Sequence, residues 1–155
     1  MKISLVAVGT KMPSWVTEGF ESYAKRFPKD WKVTLIEIPP HKRLNAASID
    51  RALQEEGKAI LEKTKHCHRR IALDRLGKPQ TSLGLAKHCD TWQMTDDHVA
   101  IIIGGPEGIS EECLNACDER WSLSDLTLPH PLVRVMVIEQ LFRAWSIQNK
   151  HPYHR

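Results

Sequence analysis

The sequence predicts an α/β domain in which a mainly parallel sheet carries helices on both faces. Three observations predict it. Short apolar runs alternate with helix-period segments along the whole chain. Two of the runs, "ISLVAV" (3–8) and "VAIII" (99–103), are continuously apolar, which suits strands covered on both sides. Gly9, Pro39-Pro40 and Gly104 close strands at points where a chain must turn.

Taken in order, strand 3–8 ends at Gly9, and Pro13 stands where a first helical turn tolerates it. Trp15, Val16, Phe20, Tyr23, Ala24 and Phe27 then recur at helical spacing until Pro28. "VTLIEI" (33–38) is the second strand. Ile49, Leu53 and Ile60 mark one face of a helix over 46–65. "RRIALD" (69–74) reads as a strand followed by the turn "RLGKP", and 82–92 as a helix. After strand 99–103 comes a short helix beyond Ser110, then "WSLSDLTL" (121–128) as the last strand, then a long helix over 131–148. No linker or repeat divides residues 1–155, so one domain is expected. In the final helix Leu132, Val133, Val135, Met136, Val137, Ile138, Leu141, Phe142, Trp145 and Ile147 cover nearly the full circumference. Such a helix needs burial on more than one side, and a homodimer interface would supply it.

Composition excludes several classes. At 155 residues with 41% apolar and 26% charged content, the chain can bury a core and carries no low-complexity tract. A net charge of +3 is too small to argue for nucleic-acid binding from the total. The first ten residues lack signal-peptide architecture and no apolar run approaches a membrane span, so a soluble, cytoplasmic protein is expected. Cys67, Cys89, Cys113 and Cys117 form no C-x-x-C pair, which suits a reducing compartment and no metal site.

Ligands of parallel α/β sheets bind beyond the carboxyl ends of the strands. Three loops with glycine or proline lie there: "LDRLGK" (73–78), "GGPEG" (104–108) and "LPHP" (128–131). Neither a G-x-G-x-x-G turn nor a P-loop is present, and Glu107, Glu111 and Glu112 crowd the place a phosphate would take. A ligand without phosphate fits better. S-adenosylmethionine is one, and a tight turn with no ligand is the plainer alternative.

The stretches "AVGT", "LDRLGK", "IIIGGPEG", "LTLPHPLVRVMVIEQLFRAWSI" and "HPYHR", in this order from end to end, resemble the RlmH-type methyltransferases of the SPOUT superfamily. Residues 41–70 and 80–98 carry no such motif. The resemblance implies a deep trefoil knot in the C-terminal part, although threaded chains are rare in proteins. It implies S-adenosylmethionine as cofactor, held by Leu73, Gly105, Ser124, Asp125, Leu126, Thr127, Leu128 and Pro129. It implies a homodimer through the last helix, with the active site between subunits. The substrate implied is N3 of a pseudouridine in a hairpin loop of bacterial 23S rRNA, within the assembled ribosome.

The imide N3–H must lose its proton before nitrogen attacks, so a base or an anion stabiliser is needed. In the tail "KHPYHR", Tyr153 can stack on or bond a base, His154 is of the type that titrates near neutrality, and Arg155 or Lys150 can hold phosphate. Read alone, these residues are a frayed terminus; the resemblance makes them candidates. His130, between two prolines, is either catalytic or a shaper of the loop. Arg134 and Arg143 are expected to pair with carboxylates or phosphates, and the basic runs 41–43 and 65–70 are candidates for phosphate contact. A non-enzymatic ribosome-binding assembly factor is the competing reading, separated by cofactor binding. A flavodoxin-type nucleotide domain is disfavoured by the missing phosphate loop.

Overall fold

The computed structural model describes the whole chain, Met1–Arg155. Its regular elements are β1 (Lys2–Val8), α1 (Ser14–Ala24), β2 (Lys32–Ile38), α2 (Ala46–Lys63), β3 (Arg69–Pro79), α3 (Ser82–Thr95), β4 (His98–Ile103), α4 (Glu111–Asn115), β5 (Glu119–Ser122) and α5 (His130–Gln148), closed by a 3₁₀ turn at Pro152–His154. Side-chain oxygens start three of the helices. Asn45 accepts from the Ser48 amide at 2.9 Å, Thr81 from Gly84 at 2.9 Å and Ser110 from Cys113 at 3.2 Å.

The strands form one sheet in the order β2-β1-β4-β3-β5, with every neighbouring pair parallel. Side chains alternate between its faces, as the pleat requires. Ile3, Leu5 and Ala7 of β1 and Val99, Ile101 and Ile103 of β4 join Phe20, Trp92 and Leu141 in the larger core. Val6, Val8, Ala100 and Ile102 point the other way, onto Ile60 of α2 and Cys113 of α4. Thus α1, α3 and α5 cover one face and α2 and α4 the other. Crossovers that run leftward along the strand order use the first face, and those that run rightward use the second. All four crossovers therefore share one handedness, as the strand twist demands.

Two strands differ most from expectation, while α1 stops at Ala24 and α3 runs on to Thr95. The predicted turn "RLGKP" does not end β3. Leu73 and Lys78 both face Trp121 of β5, so Asp74–Gly77 loops out and the strand resumes to Pro79. The predicted last strand 121–128 pairs only over Glu119–Ser122. There Ser122 Oγ donates to the Ser124 carbonyl at 3.2 Å, and Ser124 Oγ accepts from the Leu126 amide at 2.9 Å, turning the chain out of the sheet.

The apolar circumference of α5 has an explanation within the chain. This helix lies between α1 and α3 and over β4, so it is covered on three sides. No helix is long and apolar enough to cross a membrane.

Candidate functional site

A cavity of about 330 Å³ opens at the carboxyl end of the sheet. It is lined by Leu73, Asp74 and Arg75 from the β3 excursion, Gly104, Gly105, Pro106 and Gly108 after β4, and the segment from Trp121 to His130 apart from Asp125. Of the residues expected to form a cofactor shell, Leu73, Gly105, Ser124, Leu126, Thr127, Leu128 and Pro129 meet here, while Asp125 faces solvent outside the lining. Asp74, Arg75, Ser122 and Val133 also line it and were not singled out by sequence reasoning, although the first two fall inside the "LDRLGK" loop. A second cavity of about 220 Å³ adjoins it between α3 and α5 and shares Leu73, Trp121 and Leu123.

The glycines after β4 serve the turn itself first. A Cβ at Gly104 would lie 2.6 Å from the Gly108 carbonyl oxygen, and Gly108 has φ +85°, a conformation L side chains rarely adopt. The turn closes with the Gly108 amide donating to the Gly105 carbonyl at 3.0 Å. Glu107 does not face the cavity as a free charge. It pairs with Arg43, which also reaches Glu56 at 2.8 Å. Glu56 is almost fully buried and accepts from the His41 amide at 3.0 Å, so the loop after β2, helix α2 and the glycine turn are clasped together.

His130 anchors the far side of the same turn. Its Nδ1 lies 2.7 Å from the Gly104 carbonyl oxygen, and Arg134 Nε donates to its Nε2 at 3.0 Å. The carbonyl can only accept, so Nδ1 carries the proton and Nε2 is the acceptor. Burial pushes the His130 pKa down, the Gly104 carbonyl opposes this, and the Arg134 charge adds to the lowering. Arg134 is buried at 1% exposure and also holds Glu37 at 2.7 Å and the Gly9 carbonyl at 2.8 Å. Both nitrogens of His130 are therefore engaged in binding loops together.

The expected basic runs are largely spent within the chain. Arg43 is paired as above, Lys65 pairs with Glu62 at 2.6 Å, and Arg69 pairs with Asp97 at 2.9 Å. Arg70 donates to Thr64 Oγ1 at 2.8 Å.

The C-terminal tail is ordered by α5. Tyr153 packs edge-on against Phe142, centroids 4.9 Å apart, with the Arg143 guanidinium 5.2 Å from its ring centre. Its hydroxyl lies 2.9 Å from Glu139 and 3.0 Å from the Tyr23 hydroxyl. A carboxylate only accepts, so Tyr153 donates to Glu139 and receives from Tyr23. Burial and these two partners push the Tyr153 pKa up, which keeps it a neutral donor. His154 Nδ1 lies 2.8 Å from Ser146 Oγ, and Arg155 is exposed. Sixteen residues of helix separate Ser146 from His130, about 24 Å at 1.5 Å per residue. The tail of a chain does not reach that chain's own cavity.

The profile of a family described as "Predicted SPOUT methyltransferase" matches residues 1–154. The fold is similar to that of a protein described as a probable methylase from Haemophilus influenzae Rd KW20, with TM-score 0.62 and 16% identity over 99% of this chain and 70% of that one. It is similar to a candidate RNA methyltransferase from Bacillus anthracis, with TM-score 0.54 and 12% identity over 97% of this chain and 96% of that one. TrmJ from Z. mobilis gives a TM-score of 0.52 at 12% identity, over 94% of this chain and 70% of that one. At such identities the likeness is one of fold, while the profile spans nearly every residue, and the chain belongs to the SPOUT methyltransferase family.

Proposed function

We propose that the protein is an S-adenosylmethionine-dependent RNA methyltransferase that modifies N3 of a pseudouridine in bacterial 23S rRNA, acting in the cytoplasm on the assembled ribosome. It works as a homodimer of domains with a deep C-terminal trefoil knot. The observation that carries this reading is the cavity at the carboxyl ends of β3, β4 and β5, walled by the loops the family resemblance names.

The cavity suits the cofactor. Its volume of about 330 Å³ falls within the range of small-molecule sites. Its walls combine apolar side chains with serine and threonine hydroxyls, and its ionised side chains are one of each sign, Asp74 and Arg75. That lining offers no cationic cradle for phosphate, yet can meet the ammonium and carboxylate of an amino acid. Leu73, Gly105 and residues 124 and 126–129 would hold the group. When bound, it supplies a methyl carbon activated by a sulfonium.

The chain's own residues then position the base and take its proton. His130 keeps the glycine turn closed. Tyr153, its hydroxyl held by Glu139, offers its ring to the nucleobase, and Arg155 offers charge to its phosphate. His154 is the group left to accept the N3 proton. Because tail and cavity lie far apart along α5, the tail that serves a cavity comes from a second copy of the chain.

Mass spectrometry of 23S rRNA from cells lacking the protein tests the reading. A methyl mark should be missing, restored by the wild type and not by His154→Ala or a deletion of the last six residues. An intact mark in the deletion strain would overturn the reading. Titration calorimetry with no heat on adding cofactor would favour a non-enzymatic assembly factor instead. Free 23S fragments methylated as well as ribosomes would remove the ribosome from the proposal.

A further inference from the structure

We propose that Ser146 is a positioning residue that fixes the tautomer of His154, so that His154 Nε2 is bare and ready to accept a proton. This rests on the proposed reaction and adds to it the device that makes the histidine a base.

Ser146 is fully buried in α5, and its hydroxyl has three neighbours in the tail. It lies 2.8 Å from the His151 carbonyl oxygen, 3.2 Å from the His154 amide nitrogen and 2.8 Å from His154 Nδ1. A serine hydroxyl has one proton and two lone pairs. The carbonyl can only accept, so the proton goes to His151. Sending it to His154 instead would leave two oxygens facing each other at 2.8 Å with nothing between them. The amide N–H takes one lone pair of Oγ and His154 Nδ1 must donate to the other. All three valences are used, and Nδ1 carries hydrogen.

In a neutral imidazole the other nitrogen is then the acceptor. His154 Nε2 has no partner within the chain. The only buried side-chain polar atom without one is Gln148 Oε1, so Nε2 faces solvent. Free histidine prefers the opposite tautomer, with hydrogen on Nε2. Ser146 reverses that preference and simultaneously ties the tail to the helix. The proton balance of the step follows. The N3 proton passes to Nε2, the nitrogen pair forms the N–CH₃ bond, and the breaking C–S bond leaves its pair on sulfur as a thioether. The imidazolium keeps its Nδ1–H on Ser146 and afterwards loses the Nε2 proton to water.

The histidine beside the cavity shows that tautomer control alone is not enough. His130 has the same Nδ1–H tautomer, but Arg134 fills its Nε2. Of the two, His154 alone keeps a free lone pair.

Nitrogen-15 NMR of the histidine-labelled dimer at pH of about 8.5, above the ordinary histidine range, reads the tautomer directly. His154→Gln identifies the signal. The wild type should carry hydrogen on Nδ1 of His154. Ser146→Ala should move it toward Nε2 and lower kcat for ribosome methylation about tenfold, with cofactor KM unchanged. Ser146→Thr, which keeps the hydroxyl, should restore both. An active wild type with hydrogen on Nε2 overturns the role of Ser146 and leaves the function standing. So does Ser146→Ala that shifts the tautomer with kcat intact. A wild type that binds cofactor yet methylates no ribosomal RNA removes the underlying reaction, and with it this use of His154. The wild-type spectrum needs no substitution, so misfolding of a variant does not shelter the proposal.

Discussion

His130 and Arg134 do at residue scale what the loop sequence alone could not specify. One imidazole, donating to Gly104 and receiving from Arg134, ties the glycine turn to the start of α5, and Arg134 extends the tie to Glu37 and Gly9. The bonding needs a neutral ring, and burial lowers the His130 pKa accordingly. The sign follows from linkage. A histidine whose folded pKa is depressed contributes its stability above the unfolded value of about 6.5, and the contribution is lost as pH falls toward the folded value. His98, lowered by burial and by Lys2, acts in the same direction. Melting temperature should therefore fall between pH of about 7.5 and about 5.5. His130→Gln, whose amide can donate to Gly104 and accept from Arg134, should flatten that fall. A steeper or unchanged pH dependence in the variant would remove His130 from the account.

At the scale of elements, α5 holds the glycine turn at its start and the tail at its end. Glu139 holds the Tyr153 end of the tail. It accepts from Tyr153 at 2.9 Å, from Arg143 at 2.6 and 3.0 Å and, through its other oxygen, from Gln140 at 2.7 Å. Glu139→Ala should cost about 1–2 kcal/mol, in keeping with a partly buried charged anchor, and free the last residues. Carboxypeptidase trimming of the tail should become several-fold faster while the urea midpoint shifts modestly. Trimming at the wild-type rate would mean that the aromatic packing of Tyr153 on Phe142 suffices. The elements themselves were largely legible in the sequence. The continuous apolar runs of β1 and β4 read as strands covered on both faces and are so, and Pro28 stands just past the end of α1. The β3 excursion was not legible, because "RLGKP" has the composition of a turn whether the strand ends there or resumes. The early end of β5 depends on Ser124 folding back on its own backbone, which no periodicity reveals.

At the scale of the whole molecule, strand order decides which loops meet. β3, β4 and β5 are consecutive in the chain, but β3 lies between the other two, and this brings Leu73, Gly105 and residues 124 and 126–129 around one cavity. Strand order is set by tertiary packing and was not visible in the sequence, whereas the handedness of each crossover follows from strand twist. Pairings between distant residues were equally hidden. Arg134 with Glu37 and Arg43 with Glu107 join segments that only the fold brings together. The apolar α5, read from the sequence as a dimer surface, is already covered on most of its circumference by α1, α3 and the sheet. Distance instead favours the proposed second chain: the tail is held at one end of α5 and the cavity opens at the other. The most direct test of the proposed composite site mixes two inactive proteins. One carries His154→Ala and the other Asp74→Arg, which removes the only carboxylate from the cavity lining and adds a second cation. Random pairing after mild dissociation and reassembly makes half of the dimers mixed, each with one intact cavity served by an intact tail. Ribosome methylation should recover to about a quarter of the wild-type rate. A mixture as inactive as its two components would contradict the account.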